Sequence, residues 1–209
     1  DEQLKKRFGE KIRNKSNGRL IVGISPSSVV YGYCRKNEID YVDTLAYFAD
    51  YLIDRNFYVI LIPHSIRKDT NKLKNNDLPI VKEIYELLKD KNHCMVVDEE
   101  LNSNELRAII GTCNFFIASR FHAMVSSLCE EVPTVVFGWS HKYREVLELF
   151  DLADYCFNYG SLEIEQLIKK FELMEKNRQG IKKKLKNNLP IVKKLSARQF
   201  YVIRNLLET

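Results

Sequence analysis

The sequence predicts an α/β fold: a doubly wound, mostly parallel sheet followed by C-terminal helices. Three observations point there. Short apolar runs alternate with longer segments of helical period, a pattern that gives parallel pairing through right-handed crossovers. The 209 residues, 45% of them hydrophobic, suffice for one large domain or two small ones, with ample length to bury a core. Eight Gly, five Pro, eleven Tyr and eleven Phe exclude collagen-like, low-complexity and disordered chains.

Residues 1–18 read as a helical linker or the end of a preceding N-terminal domain, broken at Asn17 and Gly18. With Asp1 first and no apolar leader, the chain reads as a fragment or a processed product. The first strand is expected over 19–26, where Leu20, Ile21, Val22 and Ile24 form an apolar run that Pro26 ends. Over 39–56, Val42, Leu45, Ala46, Ala49, Leu52 and Ile53 recur at spacings of three and four, as in an amphipathic helix. The second strand is expected over 57–63. Asp77 is expected to cap the next helix, which carries Pro79 in its first turn and reaches about Lys91. Then follow a strand over 94–97, a short helix over 103–110, a strand over 114–119 and a helix over 121–130. A fifth strand over 133–138, a helix over 142–150 and a short sixth strand over 155–157 complete the alternation. Residues 19–160 are thus expected to form one Rossmann-like domain, and 161–209 to add helices that pack on it or extend from it.

The formal net charge of +5 is unevenly placed. Residues 169–198 carry eleven Lys and Arg against Glu172 and Glu175, and the rest of the chain is acidic on balance. That stretch suits the solvated face of terminal helices, or a peripheral contact with an anionic membrane surface. It lacks the interleaved aromatics of a base-stacking surface, so no nucleic acid partner is expected. No apolar run approaches the ~20 residues of a membrane-spanning helix. Five cysteines, Cys34, Cys94, Cys113, Cys129 and Cys156, are odd in number and contain no C-x-x-C pair. They fit small core residues in a reducing cytosol better than disulfides or a zinc site. A cytoplasmic protein, at most peripheral at the inner face of a membrane, is the expectation.

In an open parallel sheet of order 3-2-1-4-5-6, ligands bind beyond the carboxyl ends of the strands where the order reverses, between the first and the fourth. Ser25, Ser27 and Ser28 follow the first strand there; Ser119, Arg120 and His122 follow the fourth. A helix beginning at Phe121 offers N–H groups and a positive dipole end to an anion, and a guanidinium suits phosphate or carboxylate. Two residues apart on an extended strand end, Arg120 and His122 share a face while Phe121 turns to the core. The pair fits a small dianion; equally, Arg120 can cap a neighbouring loop and His122 can be a hydrogen-bonded core histidine. His64 ends the second strand on the same edge, as a ligand or as a loop residue with a solvated tip. Lys142, just past the fifth strand, can reach an anion or face solvent. His93 precedes a strand, at the wrong edge, and reads as structural. The motif G-x-G-x-x-G, a P-loop and G-x-S-x-G are absent, and no acidic cluster follows the first strand. No metal-ligand spacing occurs near the crevice, so neither a bound metal nor a tightly held cofactor is expected.

The segment 119–138, with Arg120, His122, Pro133 and Gly138 in order, then Lys142 and the stretch from Asp151 to Asp154, resembles the C-terminal domain of polysaccharide pyruvyl transferases. The likeness extends back through Asn104, Glu105 and Leu106, through Pro63 and His64, to Gly23 and Ser25. The resemblance implies a Rossmann-like half of a GT-B architecture, with acceptor contacts supplied by an N-terminal half. It also implies transfer of the enolpyruvyl group of phosphoenolpyruvate to a sugar or lipid-linked saccharide, as a cyclic ketal of a surface polysaccharide. His122 then inherits an acid/base or donor-orienting role and Arg120 an anion-binding role. Ser25, Ser27, Ser28, His64, Ser119 and Lys142 stand as substrate-binding residues. Many members carry an arginine just after the first strand, where this chain has Pro26, Ser27 and Ser28; charge-assisted bonds are roughly twice as strong as the neutral ones serines can give. Asn114 and Phe121 stand where Asp and Leu are common. Two other readings are open: a nucleotide-sugar glycosyltransferase half in which Glu145 binds ribose hydroxyls, and an inactive scaffold in a polysaccharide assembly complex.

Overall fold

The structure, a computed structural model, describes residues 2–67 and 75–207. Six strands, β1 (Ile21–Ser25), β2 (Tyr58–Leu61), β3 (Cys94–Val96), β4 (Phe115–Ala118), β5 (Thr134–Gly138) and β6 (Cys156–Asn158), pair in parallel in the order β3-β2-β1-β4-β5-β6. This is the doubly wound arrangement expected, with its reversal between β1 and β4. The four long central strands are buried on both faces, which is why they read as unbroken apolar runs rather than alternating ones. Val22 of β1 pairs with Val59 on one side and Phe115 on the other. At Gly23 a Cβ would stand 2.6 Å from a ring carbon of Phe116 and 2.8 Å from the Cys113 sulfur, so only glycine lets β1 lie this close to its neighbours.

Helices cover the sheet: α1 (Glu2–Ser16), α2 (Ser28–Lys36), α3 (Tyr41–Asp54), α4 (Leu78–Leu87), α5 (Ser103–Ile110), α6 (Phe121–Cys129), α7 (Lys142–Glu148), α8 (Ile164–Lys176) and α9 (Arg178–Leu207). Helix α1 packs on α5, buries Phe8 and Ile12 in the core, and ends where Asn17 and Gly18 turn left-handed at φ 49° and 79°. Helix α2 is not foreseen by the sequence reading, which leaves the stretch after Pro26 as loop. Ser27, in extended conformation, caps it by accepting a hydrogen bond from the Val30 amide at 3.3 Å, and Val30 and Cys34, one turn apart, face the core.

The C-terminal helices belong to the same core. Phe171 of α8 is fully buried, with ring centroids of Phe115, Phe57 and Phe48 at 5.4, 5.5 and 5.7 Å in tilted, edge-on contacts. Ile181, Leu185 and Leu189 carry the buried face into α9. Part of the basic stretch serves the domain itself: Lys184 donates to the Asp151 carbonyl at 2.8 Å and Lys170 to the Asp154 carbonyl. Among the described residues no helix is long and apolar enough to cross a membrane. All five cysteines are free thiols, and burial pushes that of Cys34 up to about 11.

Truncating Phe171→Ala is expected to cost about 3–5 kcal/mol in urea unfolding, the range for a buried aromatic. A loss under about 1 kcal/mol, the scale of a surface change, would mean that α8 adds little to the core.

Candidate active site

The loops after β1, β2 and β4, three adjacent strands, meet around the carboxylate of Asp77. That side chain has no exposed surface. Its oxygens accept from the backbone amide of Ser28 at 2.8 Å and that of Ser65 at 3.0 Å. Arg120 completes the set, with Nε at 2.9 and 3.0 Å from the two oxygens and Nη2 at 2.5 Å. The same Nη2 donates to the Ser28 hydroxyl at 2.9 Å. Asp77 occupies the residue before α4 in the backbone sense, but its side chain makes no cap bond. Asp77 thus holds the expected cap position of α4, but its carboxylate serves Arg120 and the amides of Ser28 and Ser65 instead of that helix.

Arg120 and His122 do not share a strand face. Strand β4 ends at Ala118 and the chain is helical from Phe121, so the two-residue period no longer applies. Arg120, still extended at φ −97° and ψ 130°, sends its guanidinium inward, leaving 18% of the side chain exposed. Among the described residues its Nη1 carries no hydrogen bond. His122 points outward on the first turn of α6 and is exposed, which removes the core-histidine reading. Its ring lies 6.2 Å from that of His64, with 18° between the planes. Burial pushes the pKa of His64 down to about 4; positive charge on His122 and on Arg120 adds to this and Asp77 opposes it. His64 is therefore a neutral imidazole near pH 7. A cavity of about 190 Å³ adjoins it, bordered by Pro63, Ser65, Glu99, Glu100 and Leu101.

The serines are drawn into the scaffold. The Tyr41 hydroxyl accepts from the Ser27 amide at 2.8 Å and lies 2.7 Å from the Ser119 hydroxyl, which donates to the Ser25 carbonyl at 3.1 Å. Burial pushes the Tyr41 phenol well above its ordinary pKa, so this relay stays protonated. Ser27 caps α2 and the Ser28 amide serves Asp77, while the buried Ser25 hydroxyl has no partner among the described residues. Lys142 is half-buried in an aromatic cage, its ammonium 4.6, 5.3 and 5.9 Å from the ring centroids of Phe121, Trp139 and Tyr143. Tyr143 donates to the Ser119 carbonyl at 3.2 Å and presses on Gly138, where a Cβ would come within 2.5 Å of its ring. Phe121 is half-buried with its edge against Tyr143, not turned fully to the core.

Other candidates lie elsewhere. His93 precedes β3 and bonds Asp90 at 2.5 Å, the structural role expected of it. Glu145 is exposed on α7, its carboxylate 3.9 Å from a ring nitrogen of His141. Among the described residues no group of three His, Cys, Asp or Glu is placed to hold a metal. Sequence reasoning missed Asp77 as a site residue, and Tyr41 and Trp139 altogether. Trp139, the single tryptophan, sits just past the end of β5 and could have been found by that position; Tyr41 and Asp77 act over separations that leave no local signal.

Because His64 takes a proton less readily folded than unfolded, the unfolded chain binds more protons between pH 6.5 and about 4. Stability contributed by the neutral form is therefore present above pH 6.5 and lost as pH falls through that window. His64→Gln is expected to flatten the fall of the thermal midpoint over this range; equal slopes for both proteins would contradict the assignment.

Comparison with known proteins places these residues in context. The family profile described as polysaccharide pyruvyl transferase matches residues 5–141, which take in β1 to β5, Asp77, Arg120 and both site histidines. General stress protein 30 of Bacillus subtilis (strain 168) is 32% identical over 85 residues, 38% of this chain and 25% of that protein. A UDP-forming α,α-trehalose-phosphate synthase from Burkholderia vietnamiensis superposes on 99% of this chain and 50% of its own, with TM-score 0.60 and 12% identity. A second, from Burkholderia xenovorans, covers 90% and 47% with TM-score 0.58 and 11% identity. These likenesses show the fold, a Rossmann-like half of a GT-B architecture, and the chain spans about half the length of those two structures. The family match extends over most of the sequence and takes in Asp77, His64, Arg120 and His122: the chain belongs to the polysaccharide pyruvyl transferase family.

Proposed function

We propose that this domain takes phosphoenolpyruvate in the crevice between β1 and β4 and passes its enolpyruvyl group to a sugar as a cyclic ketal. The product would be a pyruvylated surface polysaccharide or its precursor. The observation that carries this reading is the placement of His122, exposed on the first turn of α6, at the sheet's reversal, 6.2 Å from the neutral His64 ring. A proton from His122 goes to the methylene carbon of the enol, leaving positive charge on the adjacent carbon. A sugar hydroxyl adds to that carbon and gives up its proton. The bond to the phosphate oxygen then breaks with its electron pair on phosphate, and a second hydroxyl closes the ring with loss of its proton. His64, uncharged, offers a hydrogen-bonding nitrogen to an incoming hydroxyl, and the cavity beside it gives the hydroxyl room.

The donor's phosphate and carboxylate need cations and N–H groups. Available are the first-turn amides of α6, which have no intrahelical partner, and the caged Lys142 ammonium. A lipid-linked acceptor would bring the domain to a membrane's cytoplasmic face, with the basic residues of 169–198 toward anionic lipid.

The test uses the full-length protein. Phosphoenolpyruvate is expected to raise its thermal midpoint. With a saccharide extract as acceptor, His122→Ala should lower phosphate release by roughly 10²–10⁴-fold, the usual contribution of a general acid. Stabilisation by UDP with none by phosphoenolpyruvate would overturn the reading in favour of a nucleotide-sugar transferase.

A further inference from the structure

The donors around Asp77 form a seat for an anion. One is the first amide of α2, a nine-residue helix, where the dipole and unpaired N–H groups favour negative charge. Another is the Ser65 amide, and the third is the planar fork of Arg120, which engages both carboxylate oxygens. The seat lies past the ends of β1, β2 and β4, at the reversal where an open parallel sheet takes its ligand. It is already filled, by a side chain of the protein with no exposed surface.

We propose that Asp77 is the resident anion of this crevice and a positioning residue for Arg120. By neutralising the guanidinium and the N-terminus of α2, it closes the β1 side to phosphate. The anionic groups of the donor are thereby directed to the β4 side, against the first turn of α6, beside His122 and Lys142. Ser27 and Ser28 suffice after β1 for the same reason: that side holds no substrate charge, and their amides are bonded to Tyr41 and Asp77. Only the identity of the donor rests on the transfer reading; the seat itself does not.

Inorganic phosphate is the probe, bound to the full-length protein with neither phosphoenolpyruvate nor acceptor present. Asp77→Asn keeps the shape of the side chain and removes its charge, leaving Arg120 and α2 uncompensated. Phosphate is expected to bind about tenfold tighter than to the unaltered protein, the scale of one charge-assisted hydrogen bond. Adding Arg120→Ala should abolish the gain, and turnover by Asp77→Asn should fall although phosphate binding improves. Unchanged or weaker phosphate binding by folded Asp77→Asn overturns the proposal, as does a gain that survives Arg120→Ala. Should Asp77→Asn not fold, Asp77→Gly in sodium formate asks the same question: formate-dependent folding supports the seat, and indifference to formate overturns it. A protein that gains phosphate affinity yet ignores phosphoenolpyruvate keeps the seat and loses the transfer reading, so the two can fail separately.

Discussion

Taking a carboxylate out of water costs several kcal/mol unless it is paired and its oxygens are satisfied. Asp77 meets both conditions only because Ser28, Ser65 and Arg120 reach it from the connections after three different strands. Those loops follow neighbouring strands about 4.8 Å apart, close enough for one side chain to touch all of them. Moving any one loop would strand the charge, so the carboxyl edge of the sheet is held as a unit. The start of α6, and with it the position of His122, inherits its precision from this arrangement.

Charge is then sorted across the crevice. On the β1 side Asp77 cancels Arg120, and the hydroxyl relay of Tyr41 and Ser119 is neutral. On the β4 side lie an exposed imidazole, a helix terminus and the ammonium of Lys142. Among the described residues the lysine is held by aromatic faces and has no carboxylate partner, so its motion is restricted without its charge being cancelled. Burial, with positive charge on the neighbouring His122 as the second cause, keeps His64 uncharged between the two sides.

Much of this was legible in the residues. Strands buried on both faces announce themselves as apolar runs, and the edge rule for parallel sheets brought His64, Arg120, His122 and Lys142 to one rim. Helix α2 escaped because Pro26 and two serines resemble a loop, although Ser27 with Val30 and Cys34 is a capped, one-turn apolar pattern. Asp77 was placed at the right backbone position for the wrong purpose. Aspartate before Pro79 is a strong local cap signal, and nothing local says that an arginine 43 residues later will claim the carboxylate. The aromatic cage of Lys142 was hidden likewise, since Phe121, Trp139 and Tyr143 converge only once β4 and β5 lie side by side.

The family profile's match ends at residue 141, but the packing does not. Phe171, thirty residues further on, fills the space between Phe48, Phe57 and Phe115, and α8 lies over β5. A domain boundary drawn where the likeness ends would uncover a greasy, aromatic-lined hollow on one side of the sheet. The family match and the packed fold thus have different borders, and anyone excising the unit for expression should cut by the second.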